Sequence, residues 1–245
     1  MKTLIINLIV CFLFSFNALS QNLIETKVEN WEYGSAKIGV LDFISGSVQE
    51  FGGIDNNGNL TIELQPNFLQ KMKAQMEKEQ EKSPEGWQAS LKNVSGTFSC
   101  LSGGLSYNNG ETNLSSLPKQ LVVFKGEKEI LGLLMPASKK AIADYFFTYG
   151  EENSGTGKYL EWTYLNEPAT VKGTCINTTF TQAQNESFKA SENYSLELKK
   201  GWNLIEYHIT EVFEDSSGKI YPKTTEIQRI ENTPSEINWY FSSEK

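Results

Sequence analysis

Short alternating or β-rich runs dominate this chain: Ala36 to Phe43, Asn59 to Leu64, Gln88 to Leu91, Gln120 to Phe124, Ile130 to Met135, Tyr145 to Tyr149 and Tyr159 to Leu165. A period of two sends successive side chains to opposite faces, so these runs predict strands. The breaks between them carry turn chemistry. Asn57-Gly58 and Asn109-Gly110 suit type I′ hairpins, and Asp215-Ser216-Ser217-Gly218 suits a longer loop. The pattern predicts an all-β, antiparallel protein of sandwich type, built either as one body or as two stacked β halves. One segment changes period: between Pro66 and Lys82, Phe68, Leu69, Met72 and Met76 recur at helical spacing among Gln, Lys and Glu, with Pro84 beyond. Pro66 fits a first turn and Pro84 ends the run, so a single helix over 66–82 is expected, its narrow apolar stripe laid on the outside of a sheet.

In the last third, Ser195-Leu196-Glu197-Leu198 alternates, Lys199-Lys200-Gly201 turns, and a strand resumes from Trp202 to Phe213. Ile205, Tyr207, Ile209 and Phe213 share one face of that strand and Glu206, His208 and Thr210 the other, which reads as a solvated face. Trp202 and Leu204 fall on the second face as well, so the start of the strand is expected to be covered on both sides or to contain a bulge. Upstream, Leu160, Trp162 and Tyr164 share a face against Tyr159, Glu161, Thr163 and Leu165, which favours core packing for Trp162. Gly150 to Gly157 has no apolar side chain, and either divides the chain into regions 21–150 and 151–245 or forms a long hairpin within one domain.

The N-terminus adds a compartment. Lys2 precedes an apolar run from Leu4 to Phe16, and Ala18 and Ser20 place small residues where a signal peptidase cuts, so residues 1–20 are expected to be a signal peptide. The run is shorter than the ~20 residues a membrane helix needs, and no later window is apolar enough, so no stable transmembrane anchor is expected. A lipid anchor through Cys11 is disfavoured because Val10, not a small residue, precedes it. The expected location is secreted, periplasmic or cell-surface. Two cysteines then remain, Cys100 and Cys175, each preceded by a Gly-Thr pair at close range, and an oxidising compartment favours a disulfide between them.

The net charge of −8, with no basic cluster, argues against a nucleic-acid footprint. The only histidine is His208, so any triad must run through it, and its place beside Glu206 and Thr210 describes a sheet face more than a base. Two sulfurs and one imidazole do not complete a zinc site. Asp55, Asn57 and Asn59 have the spacing that opens a calcium loop, but Leu60 stands where that loop needs Gly and Pro66 where it needs Glu. No metal or other cofactor is implied. Thirty acidic residues offer too many pairs for a carboxylate count to identify a glycosidase. Five tryptophans make aromatic recognition of a glycan the more suggestive chemistry, with Trp162, Trp202 and His208 as candidate ligand-binding residues, although core packing is the favoured account of Trp162 and Trp202.

The segments Tyr159-Leu160-Glu161-Trp162-Thr163-Tyr164, Thr170-Val171-Lys172-Gly173-Thr174 and Leu196-Glu197-Leu198-Lys199-Lys200-Gly201-Trp202-Asn203 together resemble a group of secreted bacterial β proteins that end in a Leu-x-x-Gly-Trp-Asn hairpin. The resemblance covers roughly the last third of the chain and implies an exported β fold without a particular activity. The expected function is a non-catalytic binding or structural module at the cell envelope, with a glycan or a cell-surface protein as partner. The alternative is a small extracellular hydrolase using carboxylates, such as a glycosidase.

Overall fold

A computed structural model describes residues 22–41, 48–81, 83–84, 86, 90–126, 129–183 and 186–243. The signal peptide expected over residues 1–20 and Trp87 lie outside the described residues. The expected strands form with small changes of bounds. The first half contributes β1 (Leu23–Lys27), β2 (Ala36–Leu41), β3 (Val48–Ile54), β4 (Asn59–Glu63), β5 (Leu105–Asn108), β6 (Leu114–Ser116), β7 (Leu121–Lys125) and β8 (Glu129–Ala137). The second contributes β9 (Gly157–Leu165), β10 (Ala169–Phe180), β11 (Ser187–Leu198), β12 (Gly201–Glu214), β13 (Ile220–Ile230) and β14 (Asn238–Ser243).

Hydrogen bonds join these strands in the order β1-β4-β3-β2-β7-β8-β9-β12-β13-β11-β10-β5, with β14 on β8 and β6 on β9. The path is thin in the middle, because β8 and β9 touch through the single pair Ala137 and Tyr159. Two curved halves result, and they pack face to face. Ile38, Ile54, Leu60 and Ile62 from the first half bury against Leu160, Trp162 and Tyr164 of β9, with Trp202 and Leu204 of β12 partly buried on the same cluster. This is the expected all-β sandwich. A bridge from Val28 to Trp239 brings the chain after β1 beside β14, so the first half curls back toward its own edge without closing.

The expected helix forms as α1 (Phe68–Gln80). Phe68 and Leu69 are buried and Met72 packs on the inter-sheet core, while Gln70, Lys71, Lys73, Glu77, Lys78 and Gln80 face water. Helix is not confined to this segment: a single turn, α2 (Val94–Thr97), starts from the Asn93 side chain, which accepts from the Gly96 amide. Tyr145 to Tyr149, expected as a strand, lies instead in and just after α3 (Lys140–Phe147). The longer window explains the difference. Ile142, Ala143, Phe146 and Phe147 follow helical spacing onto Met135 and Tyr159, and Lys140 pairs with Asp144 one turn on. A strand over Gln88 to Leu91 falls partly outside the described residues, and Ser90 and Leu91 are not in a strand.

Turn chemistry is also more varied than the dipeptides suggest. Asp55 to Asn59 joins β3 to β4, but only Gly58 takes a positive φ, of 81°, so the loop is a type I turn followed by a bulge instead of type I′. The Asp55 carboxylate accepts from the amides of Asn57 and Asn59 at 2.8 and 2.9 Å, which accounts for the calcium-like spacing without a metal. Asp215 to Lys219 repeats the design, with Gly218 at φ 83°. Asn109 does adopt a positive φ, yet β5 and β6 do not pair with each other; β5 joins β10 and β6 joins β9.

The largest departure from a simple meander is at Lys199-Lys200-Gly201. β11 and β12 are not ladder partners, because β13 lies between them, parallel to β11 and antiparallel to β12. The link is therefore a corner. Asn203, 1% exposed, holds it by accepting from the Lys199 amide and donating to the carbonyls of Lys199 and Gly201. Gly201 supplies φ 89°, and Trp202 enters the inter-sheet core. Each residue of the Gly-Trp-Asn run thus has a separate structural task.

Candidate functional site

β9 and β12 are covered on both faces. Their inter-sheet faces carry Leu160, Trp162, Leu204 and Trp202. The opposite, outer face carries two apolar clusters with a gap between them. Leu165, Val171, Leu196, Ile205 and Ile227 form one cluster, and Met135, Ile142, Tyr159 and Ile209 the other. Glu161 lies on β9 between Tyr159 and Leu165, and Tyr207 lies on β12 between Ile205 and Ile209, touching both clusters. Into this gap the link between β6 and β7 delivers Lys119, whose Nζ is 3.7 Å from Glu161 Oε1. From β11, Glu192 and Tyr194 complete the polar band, with the Tyr194 hydroxyl donating to Glu192 at 2.7 Å.

The walls of the recess are rings. Tyr159 and Tyr207 stack with centroids 4.7 Å apart, and Phe146 of α3 meets Tyr159 edge-on at 4.8 Å. Lys119 Nζ lies 3.9 Å from the centroid of Phe146 and 4.6 Å from that of Tyr159. At the far end, Phe98 packs edge-on against Tyr194, and its carbonyl accepts from the Tyr107 hydroxyl. The Cys100–Cys175 disulfide, expected from sequence and present here with Cα atoms 5.5 Å apart, fixes the segment that follows Phe98 to β10.

These groups are crowded yet reachable, since 17% of the Glu161 side chain and 30% of the Lys119 side chain meet solvent. The crowding has electrostatic consequences. Burial pushes the Glu161 carboxyl above the usual carboxylate range, against the pull of Lys119 and Tyr207, and the Glu192 charge pushes the same way as burial. Burial likewise holds Lys119 below the ordinary lysine value, although Glu161 and Glu192 oppose it. Tyr159 and Tyr207 are raised well above ordinary phenols, first by burial and then by the Glu161 charge. Perturbed titratable groups gather at functional sites and in structural ion-pair networks alike, which makes this recess the candidate site.

The residues singled out from sequence sit elsewhere. Trp162 and Trp202 line a cleft of about 430 Å³ at the Lys199 corner, together with Leu64, Lys199, Arg229 and Glu231. Its groups are committed to the fold. Trp162 is buried and stacks on Trp239 at 5.8 Å, while the Trp202 indole N–H donates to the Gln65 carbonyl and its ring packs on Phe68 and Tyr164. Lys199 and Arg229 both pair with Glu231, which Arg229 first and Lys199 second pull down to about 2. Both indoles thus pack against other rings of the core.

His208 is half-buried further along the same face of β12 as Trp202 and outside both the cleft and the recess. Its neighbour Glu206 corrects the expected solvated face: Glu206 is 3% exposed, paired with Lys158 at 3.1 Å and accepting from Gln228 at 2.9 Å. The start of β12 is therefore covered on both faces, the first of the two expected alternatives, and its register shifts come later, after Ile209. His208→Ala is expected to change the unfolding free energy by no more than about 0.5 kcal/mol in a urea titration. Trp202→Ala is expected to cost about 3 kcal/mol in the same measurement, the low end for a large aromatic because part of the indole meets solvent.

Among the described residues no group of three or more His, Cys, Asp or Glu is placed to hold a metal ion. The fold and the recess define an all-β sandwich with a polar, aromatic-walled site on the outer face of one sheet. No protein-family model, curated protein or solved structure matches the chain.

Proposed function

We propose that the protein is an exported, non-catalytic binding module of the cell envelope whose ligand enters the recess at Lys119, Glu161 and Tyr207. One observation carries this reading: five polar side chains on three strands and a loop converge between two apolar clusters, where a fold alone would place aliphatic residues. Ion pairs of this kind bring little or no net stability, because removing two charges from water costs about as much as their attraction returns. The signal-like leader and the disulfide support an oxidising compartment. Among the described residues no helix is long and apolar enough to cross a membrane. A glycan end group suits the recess, since hydroxyl-rich ligands use carboxylate, ammonium and phenol groups together. The test is a glycan-array screen of the mature protein, followed by calorimetry with Glu161→Gln and Tyr207→Phe. Binding that falls at least tenfold in both variants supports the recess; binding that survives both overturns it.

A second reading, a carboxylate-dependent hydrolase, is favoured by Glu161, whose pKa burial raises with the Glu192 charge acting in the same direction, because two carboxyls whose environments differ are the arrangement of a general acid and its partner. Release of nitrophenol from aryl glycosides by the wild type, abolished in Glu161→Gln, would select it over pure binding.

A further inference from the structure

The recess already holds an ammonium group. Lys119 Nζ faces the rings of Phe146 and Tyr159 at 3.9 and 4.6 Å and the Glu161 carboxylate at 3.7 Å, a three-sided cage of two π-faces and one anion. Such cages attract cations through the ring quadrupole as well as through charge. Two carboxylates, Glu161 and Glu192, act on this single ammonium, and the hydrogen bond to Glu192 comes from a neutral phenol. With both acids ionised, the recess carries one negative charge more than Lys119 balances. Lys119 enters on the short link between β6 and β7, outside any strand, with 30% of its side chain in solvent.

We infer that the recess recognises the ammonium group of a ligand, best a weakly hydrated alkylated ammonium of the trimethylammonium kind, which takes the place of Lys119 over Phe146 and Tyr159. The inference rests on the recess being the binding site proposed above and names the chemical group that enters it. A primary ammonium is strongly hydrated, and burial costs Lys119 more than its partners return, as its lowered pKa records. A quaternary ammonium surrenders less hydration and keeps its charge at every pH, so the same cage holds it better than it holds Lys119. The internal lysine then acts as a tethered, replaceable occupant that keeps the carboxylates paired when no ligand is bound.

The test uses the full mature protein, with choline as probe and 3,3-dimethylbutanol, its uncharged isostere, as control, both followed by calorimetry and by ligand-observed NMR. Choline is expected to bind saturably and the isostere not. Lys119→Ala removes the internal competitor and is expected to raise choline affinity about tenfold, the weight of one desolvated cation–π contact. Glu161→Gln and Phe146→Leu are each expected to lower it, and circular dichroism confirms that each variant folds. Equal binding of choline and its isostere overturns the inference, as does a loss of choline binding in Lys119→Ala, which would make Lys119 a ligand contact instead of a competitor. If choline fails to bind while a glycan binds and is lost in Glu161→Gln, the ammonium inference falls and the binding reading stands; if Glu161→Gln affects no ligand, both fall.

Discussion

Replacing Cys100 and Cys175 together by alanine is expected to lower the unfolding free energy by about 4 kcal/mol. The bridge joins residues 75 apart in sequence, and a loop of that length restricts the unfolded chain strongly. It also ties the segment after Phe98 to β10, where the Ser102 hydroxyl donates to the Ile176 carbonyl and Gly104 approaches the Thr174 carbonyl too closely for any Cβ. Loss of the bridge should loosen that end of the recess before the rest of the sandwich. Urea unfolding of the oxidised protein and the double variant measures the difference, and hydrogen exchange at residues 98–104 shows whether the loosening is local. Equal urea midpoints would mean that the bridge adds nothing to the fold.

The second large effect is expected at Lys158. Its ammonium lies 3.1 Å from Glu206 and 3.0 Å from Glu236, with the Glu206 side chain 4% exposed. Lys158→Met should cost about 3 to 5 kcal/mol, because it leaves the buried Glu206 carboxylate with Gln228 as its remaining polar partner. Glu236→Gln should cost less than about 1 kcal/mol, since that partner is half in water. Adding Glu206→Met to Lys158→Met should recover most of the loss, which separates an orphaned charge from a packing defect. The hydrogen bond to Glu236, then that to Glu206, raises the Lys158 pKa. Its contribution is accordingly complete below the ordinary lysine value and is lost as pH rises through the folded value above it.

Much of this fold is legible in the residues. Alternation along Leu160-Glu161-Trp162 assigns both faces of β9 correctly, the Pro66 to Lys82 period marks α1, and Cys100 and Cys175 pair as expected. Connectivity is less so. Nothing local in Lys199-Lys200-Gly201 announces that β13 will slot between β11 and β12, because a corner and a hairpin use the same Gly at positive φ. Tyr145 to Tyr149 shows the limit of a five-residue window, where aromatic richness imitates a strand and the helical spacing emerges only from Lys140 onward. The recess is absent from the sequence reading, which singles out Trp162, Trp202 and His208, although one signal for it exists. Glu161 stands among Tyr159, Leu160, Trp162 and Leu165, and an acid inside a strand buried on both faces is a signal in itself. Lys119 gives no such signal, since it comes from a loop, and only the tertiary fold carries it across to Glu161.

If Lys119 and Glu161 serve a ligand and not the fold, as proposed, the unfolding free energy of the double variant Lys119→Met/Glu161→Gln will reveal it. Both pKa shifts point the same way. Burial raises Glu161, so ionising it lowers stability as pH climbs from the ordinary carboxylate value through the folded one; burial lowers Lys119, so stability rises as that ammonium loses its proton between the folded value and the ordinary lysine value. At neutral pH each charge is held against its preference for water. Replacing the pair with neutral side chains of similar size is therefore expected to leave the protein as stable as the wild type, or more stable by about 1 to 4 kcal/mol. A loss of about 3 kcal/mol or more in urea unfolding at neutral pH would contradict the account and make the pair a brace between the β6–β7 link and β9.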